Sequence, residues 1–181
     1  MENSITTFIL IIATLLIGLS AFAITSVFTA QQYNNVQLQN QAENIANGLY
    51  ISEFESINNS YSLTVYDFNY HRAIFFTVFY VPNVYENDTA QITPQFAYTT
   101  STEGIVYPKI NINYTEVQVG TLYYTNLKPL YQGNIMLWEV PSLSSPAPIV
   151  VTGSILPNYT PVIIFFAQIQ NKYVEVGYQW L

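Results

Sequence analysis

No cysteine occurs anywhere in the chain, so it has neither a disulfide framework nor a thiolate metal site. Bases are almost as scarce: Arg72, Lys109, Lys128 and Lys172 face 11 acidic residues, for a formal charge of −7. With no basic cluster to displace counterions from phosphate, binding to nucleic acid through a charged groove is excluded. Charged residues make up 8% of the chain, against roughly 25% in typical soluble proteins. The surface must therefore be neutral and polar, and the 16 tyrosines with abundant Asn, Gln, Ser and Thr supply it. Few groups would change state in acid, so tolerance of low pH is expected. A melting curve that collapses between neutral pH and about pH 3 would count against that expectation.

Proline is missing from the first 57 residues, and charge is missing from Ser4 to Ala42. What occupies that stretch is a run from Ile5 to Ala30 that is almost wholly apolar. It exceeds the roughly 20 residues a helix needs to cross a bilayer core. The helical signal persists after Ala30 as the polarity rises: Leu38, Ala42, Ile45 and Leu49 recur at steps of four, three and four, one stripe of a helix. Glu53, Glu55 and Ser56 mark a polar exit. The reading is one continuous helix over 1–57 and a globular domain over 58–181, with Asn34, Asn35 and Gly48 as its weak points. A secretory signal would carry a basic leading region and a shorter apolar stretch. Here no base precedes Arg72. Two origins stay open: a basic leader already removed, leaving Met1 as the first mature residue, or a plain signal anchor starting at Met1.

Past the helix the pattern turns to β-branched and aromatic residues. Tyr61–Asp67 and Arg72–Val81 read as strands around a turn at Phe68–His71, and Gln91–Thr99 as an edge strand limited by Pro94. Glu116–Thr125 and Leu130–Val140 flank a hairpin turn at Asn126–Pro129, and Pro141–Pro148 reads as a stiff loop. Val162–Gln170, a turn at Asn171–Lys172, and Tyr173–Trp180 form a final hairpin. In its last strand Val174, Val176, Tyr178 and Trp180 are expected on one face and Glu175 with Gln179 on the other. Seven to nine short strands argue for an α+β chain whose head is an antiparallel, Ig-like β-sandwich.

Residues for catalysis are sparse. His71 is the single histidine, near Asp67 and Arg72, with no nucleophile motif, metal pair or phosphate loop. A turn-side hydrogen bond or a solvated charge pair is the plainer reading. Glu53 and Glu55, two apart on a helix, would point to different faces. Asp67 and Asp88 are too few for a calcium loop. No catalytic residue, cofactor or metal ligand is assigned. Four Asn-x-Ser/Thr sequons, at Asn58, Asn87, Asn113 and Asn158, lie beyond Ile57 near loops or strand ends and are glycosylation candidates.

Taken together, the uncharged Ile5–Ala30 helix, the stripe from Leu38 to Leu49 and the cysteine-free, Tyr/Thr/Asn-rich head resemble archaeal type IV pilins. The resemblance implies removal of a short basic leader by a prepilin peptidase, assembly by a dedicated ATPase and membrane platform, and a helical filament of identical subunits with helices inside and heads outside. It also implies insertion in the cell membrane before assembly and a surface role in adhesion or cell contact. On this reading the polymerising helix presents Ile5, Phe8, Ile12, Leu15, Leu16, Leu19, Phe22, Val27, Leu38, Ile45 and Leu49. The bacterial members carry a glutamate a few residues into the mature helix, whereas this chain has only Glu2 there, so that role is not carried over. Archaellins, the motility relatives, share the same plan and are one alternative.

Energetics agree with burial of the leading segment. Fourteen large apolar residues lie between Ile5 and Phe28, and moving them out of water is worth roughly 20–40 kcal/mol as an upper bound. A free monomer in water is excluded, but lipid and a bundle of identical helices both satisfy such side chains. Gly18, Ala13, Ala21 and Ala23 would permit close helix approach or are ordinary transmembrane filler. A further alternative is a membrane-anchored, Ig-like binding module. The one-sided stripe within Gln31–Ile57 is expected to separate the two, because a tether has no use for it.

Overall fold

The computed structural model describes residues 2–57, 60–86, 99–100, 104–105, 108–110, 113–143, 145–152 and 156–181. Met1–Gln37 and Leu38–Leu181 are two compact units. The first is helical throughout its described residues and belongs to α1 (Glu2–Gly48). The second contains the last turns of that helix and strands β1 (Leu49–Ile51), β2 (Glu55–Ile57), β3 (Ser60–Asp67), β4 (Ile74–Pro82), β5 (Thr99–Thr100), β6 (Gly104–Ile105), β7 (Lys109–Ile110), β8 (Thr115–Tyr123), β9 (Pro129–Val140), β10 (Ala147–Thr152), β11 (Tyr159–Ile169) and β12 (Lys172–Trp180). The α+β organisation thus holds.

The helix ends at Gly48 rather than Ile57. Its continuation pairs with β3 as antiparallel strands, Tyr50 opposite Tyr66 and Ser56 opposite Tyr61. Propensity alone would let the helix run on; the hydrogen bonds offered by the β3 edge outcompete it. Glu53 falls in the link between β1 and β2 and Glu55 opens β2, and both line one cavity with Tyr50, Ser52, Ser62 and Thr64. The expectation that they splay to different faces of a helix therefore does not hold.

Five strands close into a barrel in the order β11-β12-β8-β9-β4. Every pairing in it is antiparallel except β12 with β8, which is parallel over Tyr173–Leu122 and Val174–Tyr123. A second sheet, β1-β3-β10-β7 with β2 on β3, is separate from the barrel. This differs from the expected Ig-like sandwich. Alternating strands fill a barrel as readily as a sandwich, and the short parallel contact that closes it leaves no mark in the sequence.

Two cores result. The barrel interior holds Phe75, Phe79, Val119, Leu122, Leu137, Ile164 and Phe166. The outer core unites Phe76, Val78, Ile163 and Phe165 of the barrel with Leu63 and Val65 of β3, Ile149 and Val151 of β10, and Leu38, Ala42 and Ile45 of the helix. Strands β4 and β11 are therefore buried on both faces, which explains their unbroken apolar runs. Strand β10 lies partly in what reads as a stiff loop: Pro146 and Pro148 mask its alternation, yet Ala147, Ile149 and Val151 are all buried.

The expected hairpins are present at β8–β9 and β11–β12, whereas β3 and β4, though consecutive, part after their turn, β3 to the second sheet and β4 to the barrel. In the β11–β12 hairpin, the two loop residues are Gln170 and Asn171, both at positive φ (47° and 64°), the geometry of a type I′ turn. Its last strand departs from strict alternation. Phe165 pairs with Gly177 and Phe166 with Glu175, leaving Val176 as a bulge. Val174 and Val176 enter the outer core, while Tyr178 and Trp180, half-buried, pack against the barrel core instead. Of the expected edge strand Gln91–Thr99, residues 91–98 lie outside the described residues.

Candidate assembly and membrane segment

All fourteen large apolar side chains from Ile5 to Phe28 are exposed, Ile5 at 61% and Phe22 at 72%. They include Phe8, Ile12, Leu15, Leu16, Leu19 and Val27. The segment is long and apolar enough to cross a membrane. Four of its hydroxyls are turned to the backbone: Thr7 donates to the Asn3 carbonyl at 2.7 Å, Thr14 to Leu10 at 3.0 Å, Ser20 to Leu16 at 2.8 Å and Thr25 to Ala21 at 2.8 Å. These four are thus satisfied within the helix, as an apolar surround requires. A Cβ added at Gly18 would meet nothing within 4 Å, so that position offers a shallow place on the helix surface.

The stripe farther along has a different destination. Leu38 is 1% exposed, Ala42 0% and Ile45 5%, all in the outer core of the second unit, and Leu49 packs against them half-buried. Leu38 and Ile45 are therefore head-core residues and cannot face a neighbouring subunit. Period 3.6 announces a buried face and is silent about which surface buries it.

Sequence reasoning missed the clasp that ends the helix. The Asp67 carboxylate accepts hydrogen bonds from the backbone N–H of Asn69 (2.7 Å) and Tyr70 (2.8 Å), shaping the turn after β3. That turn caps α1: Phe68 N–H donates to the Gly48 carbonyl at 3.0 Å, and Asn69 Nδ2 to the Asn44 carbonyl at 3.0 Å. Asp67-Phe68-Asn69 was the available signal, an Asx turn, but nothing local says that it meets a helix end. Burial pushes the Asp67 carboxyl above its usual range, opposed by the two backbone hydrogen bonds and by His71. His71 and Arg72 are exposed beside this turn, which Asp67 shapes through its two backbone hydrogen bonds. Among the described residues no three His, Cys, Asp or Glu side chains gather as a metal site would require.

Of the four sequons, Asn58 and Asn87 lie outside the described residues. Asn113 and Asn158 are both exposed in turns, before β8 and β11 respectively. Asn158 has φ 67°, and its carbonyl accepts from Asn83 N–H at 2.9 Å.

Compared with known proteins, the chain matches no protein family, no curated protein and no solved structure.

Proposed function

We propose that this chain is the structural subunit of an extracellular filament of the archaeal type IV pilus kind, polymerising through Ile5–Phe28 and serving adhesion or cell contact. The observation that carries the reading is the fully exposed apolar helix, whose large unsatisfied surface needs either lipid or identical helices. Its partners are copies of itself, the membrane before assembly, and the prepilin peptidase and ATPase-driven platform that such a route needs. A head-to-tail contact that does not close gives a helical fibre. An archaellin-type motility filament is the same assembly in another use.

One observation favours a second reading. Because the stripe Leu38–Ile45 is consumed by the head core, it no longer argues for a filament over a membrane-tethered head. The apolar segment alone must decide. Electron microscopy of sheared surface material, with the chain identified in the fibres by mass spectrometry, tests the proposal. Recovery only as single detergent-solubilised particles in the membrane fraction would establish the tether instead.

A further inference from the structure

A cavity of about 550 Å³ opens in the second unit between the last helical turns, the β8–β9 hairpin and β12. Its lining is Gln39, Glu43, Tyr124, Thr125, Asn126, Glu175 and Tyr178. The size is that of an ordinary small-molecule site.

The walls are fixed before any ligand arrives. Leu127 N–H donates to the Tyr124 carbonyl at 2.8 Å, Tyr124 N–H to Lys128 at 2.9 Å, and Lys128 N–H to Asn126 Oδ1 at 3.0 Å. Gln39 Nε2 ties the helix to this turn through the Asn126 carbonyl at 3.0 Å, and Thr125 Oγ1 ties it to β12 through the Glu175 carbonyl at 3.0 Å. With those bonds made, Gln39 Oε1, Asn126 Nδ2, both carboxyl groups and both phenols remain available, with two aromatic rings.

The geometry points to a neutral saccharide as the occupant of this cavity, its hydroxyls meeting the planar carboxyl and amide groups and an apolar sugar face lying on Tyr124 or Tyr178. Sugar hydroxyls donate and accept at once, which suits a lining that mixes acceptors with donors. Phosphate and carboxylate ligands are disfavoured, because among the described residues no Lys, Arg or His lines the cavity and two Glu do. A lipid tail would leave these polar groups without partners. Burial raises the Glu175 carboxyl to about 7, so at mildly acidic pH it is protonated, which weakens attraction for a cation and adds a donor. This site needs no filament, so it stands or falls apart from the assembly reading.

The test is saturation-transfer NMR on the full chain in a zwitterionic, sugar-free detergent, with methyl mannoside, methyl galactoside, methyl glucoside, glucuronate and spermidine as probes. Transfer to at least one neutral glycoside is expected. Its affinity should fall about tenfold or more in Glu43→Ala and Tyr124→Ala, and stay within twofold in Tyr50→Ala, an aromatic outside the cavity. Glu43 is exposed, so its variant tests binding even if Tyr124→Ala melts early. No transfer to any neutral glycoside, binding unchanged in Glu43→Ala, or preference for glucuronate or spermidine would overturn the assignment.

Discussion

The backbone N–H of Phe68 donates to the carbonyl of Gly48 at 3.0 Å, joining the turn after β3 to the last residue of the long helix. Glycine stands there because of close approach: a Cβ would lie 2.6 Å from Asp67 Oδ1 and 2.7 Å from Asn69 Nδ2, both held by hydrogen bonds. Gly48→Ala should destabilise the head by about 1–3 kcal/mol, and thermal melting should show it. An unchanged midpoint would mean that the clasp yields freely.

The two parts of the helix should respond oppositely to truncation. Ile45→Ala removes a buried core side chain and should cost about 2–4 kcal/mol, lowering the melting midpoint by about 5–15 °C. Ile12→Ala shortens an exposed residue and should leave head melting unchanged. Equal effects would contradict the assignment of Ile45 to the head core.

Assembly should depend on the exposed stretch alone. Leu15→Asp and Leu16→Asp place charge on an apolar contact surface and should abolish fibres. Circular dichroism of the β-rich head should stay the same. Fibres of normal abundance from either variant would exclude the polymerising helix proposed above.

Stability should fall as pH rises. Folded Glu175 is raised to about 7 from 4.5 by burial, so between those values the folded state holds the proton more tightly than the unfolded chain. The contribution is complete below pH 4.5, declines toward 7 and is flat beyond, with an upper bound of about 3 kcal/mol. Asp67, also raised by burial, acts in the same direction. Chemical denaturation across this window checks it, and Glu175→Gln should remove most of the slope. Stability rising from pH 4.5 to 7 would reverse the sign.

Glycosylation is proposed at Asn113 and Asn158, the two sequons placed in exposed turns. Intact mass of native protein should exceed that of the bare sequence, and Asn113→Gln should lower it by one glycan. A mass equal to the bare chain would remove the proposal.

The sequence by itself settled the apolar leading helix, two of the hairpins and the absence of thiol chemistry. These are properties of composition and of short-range period, and no distant residue is needed to read them. Only the tertiary structure decided where the helix stops, since that depends on a turn at Asp67–Asn69 and on the free edge of β3. It also decided that Leu38 and Ile45 serve the head, and that five strands close into a barrel. A hydrophobic stripe records that a face is buried, and strand alternation records that a sheet has an inside. Which surfaces meet is set by long-range pairing, and Val176 shows how one bulged residue sends the rest of a strand to the opposite core.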